Sequence, residues 1–144
     1  MTPVYLGRVQ TRLFDLVVVG GLWTLLIAPF LPGGGSIGAR YQATFTVLAV
    51  VFVLGVGWDA VYFLLQQFRW EKDWPTMFGL LNGINEGFIA WFVLNSHHVP
   101  GHPHIGGAAF AVHFTTVWLV TWLFAIGPMR VPFLRWRFRG GRLI

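Results

Sequence analysis

Apolar residues run almost unbroken through four stretches of this chain, at about 13–31, 43–65, 76–95 and 106–127, with short polar connections between them. Each stretch holds the roughly 20 mainly apolar residues that a helix needs to cross a bilayer. The first closes at Pro29, Pro32 and the run Gly33-Gly34-Gly35. The third opens after Trp74-Pro75, with proline where helix starts favour it, and the fourth ends before Pro128. The pattern predicts an all-α fold: a polytopic bundle of four transmembrane helices forming a single integral membrane domain, with a basic tail at 128–144. The first stretch is longer than a signal-peptide core, and no small-x-small cleavage site follows it, so it is expected to stay as a span. The spans consume the chain and leave no soluble catalytic domain. No internal repeat stands out.

Composition sharpens this picture. Hydrophobic residues make up 56% of the 144 and charged residues only 10%. A soluble domain carries roughly 25% charge, so this chain lacks the polar surface to cover a water-facing globule. Its apolar and aromatic content excludes disorder. The absence of cysteine excludes a disulfide scaffold or a thiolate metal site.

The charge pattern sets an orientation. With a cytoplasmic N-terminus and four spans, Arg8, Arg12, Arg69, Lys72, Arg130, Arg135, Arg137, Arg139 and Arg142 all fall on the inner side, and only Arg40 falls outside. That asymmetry exists only for an even number of spans, and it predicts a multi-pass membrane protein with both termini cytoplasmic, N-in/C-in. In the tail, Arg130, Arg135, Arg137, Arg139 and Arg142 alternate with Phe133, Trp136 and Phe138. This is the composition of a lipid anchor, arginines at anionic head groups and rings at the acyl boundary. Nucleic acid is not an expected partner. Trp70 and Trp74 suit the same inner aromatic belt.

Ionisable groups inside a span cost free energy and mark candidate sites. The second span carries Asp59, the third Asn82, Asn85 and Glu86, and the fourth His113. At 1.5 Å per residue Asp59 lies roughly 12 Å and Glu86 roughly 15 Å from the inner ends of adjacent antiparallel helices, so the two carboxyl groups are expected at one level. His113 stands higher, roughly 21 Å up. Gly55, Asp59, Tyr62 and Gln66 share one helix face, Asn82 and Glu86 share another with Asn85 beside them, and His113 shares a third with Thr116. The expected intramembrane polar cluster is therefore Asp59, Tyr62, Asn82, Asn85, Glu86 and His113. Two readings are open: a polar clamp bonded across helices, or a proton or cation site in which one carboxyl holds a proton and donates to the other. Asp15, three residues after Arg12 at the membrane edge, is expected to form a local ion pair with it.

The third span also reads Gly79-x-x-x-Gly83-x-x-x-Gly87. Glycine at this spacing makes a groove for close helix packing, within the chain or against another. The second outer loop, about 96–105, carries His97, His98, His102 and His104. Imidazole suits copper, zinc, iron and nickel, so a transition metal there is the one cofactor the sequence leaves open; otherwise none is expected. A bis-histidine haem would need a second helical imidazole besides His113. No phosphate loop, nucleophile elbow or HExxH signature occurs, and no enzyme activity is expected.

Together these features predict a small, non-enzymatic accessory or scaffold subunit of a larger membrane complex, bound to other membrane subunits or to copies of itself. The alternatives are an oligomeric proton- or cation-coupled transporter using Asp59 and Glu86, and an outward-facing metal or redox protein using the histidine loop.

Overall fold

The computed structural model describes residues 4–69, 76–96 and 104–144, apart from the side chains of Thr76 and Arg137. All its regular elements are helical, and four helices are long and apolar enough to cross a membrane: Tyr5–Phe30, Ile37–Gln67, Met77–Asn95 and Gly107–Arg130. The first is composite. Helix α1 (Tyr5–Phe14) passes into a π-helical stretch (Asp15–Gly20), then α2 (Gly21–Ile27), then a 3-10 turn (Ala28–Phe30). Helices α3 (Ile37–Gln67), α4 (Thr76–Asn95) and α5 (Gly107–Ile126) follow, and after a 3-10 turn (Pro128–Arg130) a short α6 (Leu134–Phe138) ends the helical structure.

Two spans are longer than their oily cores. The first begins about eight residues earlier than hydropathy indicates, so Arg8 and Arg12 are helical residues and not a flanking loop. The second begins at Ile37 because Ser36 caps it, its hydroxyl accepting from the Ala39 amide at 3.2 Å. Arg40 then folds back over the end of the first span and donates to the carbonyls of Pro29 (2.7 Å), Leu31 (3.3 Å) and Gly33 (2.7 Å). Pro29 belongs to the last turn of the span, where a helix end leaves carbonyls without partners, and Leu31 and Gly33 follow it.

The core is a narrow apolar column of Leu16, Val47, Val51, Ala90, Phe110 and Val117 with their neighbours. Only about a third of the most apolar stretch of each span is buried within the chain. The remainder, with Ile84, Phe88, Phe92, Val53 and Leu26 among the most exposed side chains, faces outward. In a bilayer such faces meet lipid tails or the apolar face of another helix.

Helix α5 packs on α4 through the glycine stripe. Its Phe110, Phe114 and Trp118 rings stack in sequence, centroids 5.6 and 5.7 Å apart. A Cβ at Gly83 would strike the Trp118 indole, one at Gly87 would lie 2.6 Å from the Phe114 ring, and one at Gly79 3.6 Å from Trp122. The groove thus receives rings of this same chain. The Trp118 indole also donates to the Leu80 carbonyl at 3.2 Å.

Helix α1 and the tail meet at one end of the bundle, called here the terminal end. The Val4 amide donates to the Gly140 carbonyl at 2.9 Å. Thr11 Oγ1 accepts from the Trp136 indole at 2.8 Å and donates to the Gly141 carbonyl at 3.0 Å. Gln10 Oε1 accepts from the Leu143 amide at 2.8 Å. Trp136 is buried, so this ring of the tail turns into the protein and not toward an acyl boundary. Phe133 packs edge-on against Phe14, while Phe138 is exposed. Arg130, Arg135, Arg139 and Arg142 are exposed.

The seam depends on Gly7. A Cβ there would land on the Gly140 carbonyl oxygen and 2.8 Å from the Gly141 carbonyl carbon, main-chain atoms with little room to give. Gly7→Ala is expected to lift residues 134–144 off α1. Limited trypsin digestion in detergent checks this: cleavage after Arg139 and Arg142 should speed up at least tenfold while the four spans stay intact. Unchanged cleavage would mean that the tail is held elsewhere.

Candidate functional site

The first polar layer, nearest the terminal end, joins α1 to α3. Arg8 Nη2 donates to Gln66 Oε1 at 2.8 Å. About one helical turn deeper, Arg12 extends across the bundle. Its Nε donates to Asp59 Oδ2 at 2.7 Å and its Nη2 to Asp59 Oδ1 at 3.0 Å. Its Nη1 donates to Glu86 Oε2 at 2.7 Å and its Nη2 also to Glu86 Oε1 at 3.0 Å. All four carboxylate oxygens are therefore taken by one guanidinium, which ties the first, second and third spans together. The planar fork of arginine suits this double bidentate geometry, and a lysine ammonium does not.

The centre is well buried. The Arg12, Asp59 and Glu86 side chains are 13%, 7% and 2% exposed. Gly55 makes room for it, since a Cβ at that position would collide with the Arg12 guanidinium. Tyr62, one turn from Asp59, is buried and stacks on Trp58 at 5.5 Å.

Asp59 and Glu86 lie at one level, but they do not share a proton between them as a carboxyl pair. Arg12 stands between them. The expected local pair of Arg12 with Asp15 is not formed, because Arg12 leaves its own helix to reach the other two acids. Asp15 starts the π-helical stretch and is 8% exposed, and its Oδ1 has no hydrogen-bond partner among the described residues.

The other expected cluster members separate. Asn82 is half-buried and Asn85 is exposed on the outward face of α4. His113 is fully buried higher in the bundle, where its Nε2 lies 2.9 Å from Thr24 Oγ1. No group of three histidine, aspartate or glutamate side chains able to hold a metal occurs among the described residues. His97, His98 and His102 lie outside those residues, and His104 is exposed.

Beside the charged centre is a cleft of about 350 Å³ at the terminal end, between α1, α5 and the folded-back tail. Arg8, Arg12, Asp15, Asp59 and Arg130 line it together with Trp118, Trp122 and Trp136. Separate signals for the cleft and for the centre stand in the sequence, and nothing in it joins them. Arg8, Arg12 and Asp15 fall at the i, i+4, i+7 spacing of one helix face, which points the first span's charges in one direction.

These features define a class: a four-span, all-helical membrane protein with a buried arginine–carboxylate centre. No known family model, no curated protein and no solved structure matches the chain.

Proposed function

We propose that the chain is a non-enzymatic accessory or scaffold subunit of a larger membrane complex, N-in/C-in, that docks another subunit's transmembrane helix on the outward face of α4. The observation that carries this reading is Asn85. It is the tenth residue of the 20 in α4 and therefore lies at the middle of the span. It is exposed between Ile84 and Phe88, which are 70% and 75% exposed. An amide facing hydrocarbon lacks hydrogen-bond partners there, and a polar group on a neighbouring helix supplies them.

The charged centre supports a scaffold. Arg12 locks three spans in one arrangement and leaves the outer faces free for partners. It counts against the alternative of a proton or cation path through Asp59 and Glu86, because a passing ion would have to displace a guanidinium that holds every carboxylate oxygen. The orientation is supported by the meeting of α1 with the tail and by the charge count. With Arg12 withdrawn into the bundle, Arg8, Arg69, Lys72, Arg130, Arg135, Arg137, Arg139 and Arg142 still oppose Arg40 alone.

Purification from native membranes in mild detergent tests the reading. Unrelated membrane chains should co-purify in fixed ratio and crosslink to a photoreactive residue at position 84 or 88. Asn85→Leu should weaken that association by roughly 3- to 30-fold, the effect of losing one interhelical hydrogen bond of about 0.6–2 kcal/mol. A monodisperse monomer, a homodimer through the same face, or partners indifferent to Asn85 would each overturn it.

A further inference from the structure

One acid of the cleft has no direct partner, Asp15. Arg12 is satisfied by Asp59 from α3 and Glu86 from α4, and Arg8 donates to Gln66. Arg130 stands exposed at the rim beyond α5. These are the charged groups that surround Asp15 on the elements packed about it. Three guanidinium groups thus stand against three carboxyl groups, yet Asp15 accepts no hydrogen bond from any described side chain. It lines the cleft from the start of a π-helical stretch, a distortion that recurs at functional sites. A carboxylate buried to this degree without a partner is costly, and a bound cation removes that cost.

The lining selects the kind of cation. A hard metal ion needs about six oxygen ligands. Besides Asp15 the wall offers the Asp59 carboxylate, whose two oxygens Arg12 already holds, and two hydroxyls that are also engaged: Thr11 with Gly141 and Trp136, and Thr121 with carbonyls of its own helix. An ammonium needs less. One carboxylate gives it a charge-assisted hydrogen bond, and indole faces attract it through their ring electrons. Trp118, Trp122 and Trp136 supply such rings, and Ala125 and Ile126 supply apolar wall. An anion would meet Asp15 head-on and find most Arg12 donors occupied.

We propose that this cleft binds an organic ammonium, with its charged nitrogen on the Asp15 carboxylate and its apolar part against the tryptophan-lined wall. The volume of about 350 Å³ lies within the range of small-molecule pockets, roughly 300–1,000 Å³. This ligand site does not depend on the α4 docking face. The ammonium comes either from a free amine or from the head group of an aminophospholipid.

The test uses the full chain, delipidated in a maltoside detergent, with 2-phenylethylammonium as probe and 2-phenylethanol as its uncharged counterpart. Calorimetry and tryptophan fluorescence should both show saturable binding of the ammonium, at least tenfold tighter than the alcohol. Asp15→Asn should weaken it at least tenfold with the thermal midpoint retained. Ala125→Trp, which fills the cleft and leaves the charge in place, should abolish it. Native mass spectrometry of the protein before delipidation assigns the source: a retained phosphatidylethanolamine that Asp15→Asn loses marks the lipid, and its absence marks the free amine. Alcohol and ammonium binding equally, Asp15→Asn binding as the parent does, or no saturable binding of the probe would each overturn the proposal. Should Asp15→Asn fail to fold, the comparison of ammonium with alcohol and the Ala125→Trp variant decide the question.

Discussion

Arg12→Leu is expected to unfold the bundle or leave it at the edge of stability. The substitution strands Asp59 and Glu86, 7% and 2% exposed, with no cation between them. Breaking a buried pair by removing one partner costs about 3–5 kcal/mol, because a charge remains buried without compensation. Here two carboxylates lose their partner at once, so the upper part of that range is expected. Typical total stabilities are only about 5–15 kcal/mol. Arg12→Lys should recover only part of the loss, since one ammonium cannot offer two parallel donors to each of two carboxylates. The more telling variant removes all three charges. Arg12→Met with Asp59→Asn and Glu86→Gln leaves no ion in the interior, and it should regain at least about half of the lost stability. Thermal denaturation in detergent, followed by size-exclusion chromatography, measures all three. An Arg12→Leu protein within about 0.5 kcal/mol of the parent would show that the centre does not hold the spans together.

The same centre shows where sequence reasoning ran out. The four spans were legible because a bilayer imposes its thickness on each helix separately, and a long apolar run is a local signal. Asp59 and Glu86 at one level were legible too, since both follow from counting residues along antiparallel neighbours. Arg12 was not. It precedes the first oily residue, so hydropathy assigns it to the water-facing edge, and the positive-inside count absorbed it there. Its true direction is a tertiary matter: α1 starts at Tyr5, and the side chain leans across to acids 47 and 74 residues away. The tail illustrates the same gap. Alternating arginine and aromatic residues describe a lipid anchor well, and four of the arginines are exposed. Trp136 nevertheless turns inward, because Thr11 offers an acceptor and Gly7 lets the Gly140–Gly141 backbone approach. Composition alone does not reveal a partner so far along the chain. The glycine stripe on α4 was visible as a place for close packing, whereas the rings that fill it belong to another helix.

Two glycines on α3, two residues apart in sequence, are opposite in surroundings. A Cβ at Gly57 meets nothing within 4 Å, while one at Gly55 would sit on the Arg12 guanidinium, 2.6 Å from its Cζ. Gly57→Ala is expected to be neutral or to stabilise by up to about 1 kcal/mol, the helix preference of alanine over glycine. Gly55→Ala carries the same local preference and should still destabilise, by about 1–3 kcal/mol. The guanidinium is the end of a flexible side chain, and in open space it would swing aside at little cost. Here four hydrogen bonds fix it, so moving it opens the bidentate pairs with Asp59 and Glu86. The penalty should therefore depend on Arg12 itself. In the charge-free background of Arg12→Met, Asp59→Asn and Glu86→Gln, the flexible Met has no bonds to lose, and Gly55→Ala should cost less than half of its value in the parent. That coupling is the quantity to measure, by thermal midpoints of the parent, Gly55→Ala, the charge-free variant and their combination. Equal penalties in the two backgrounds would mean that Gly55 serves backbone packing and not the accommodation of the arginine.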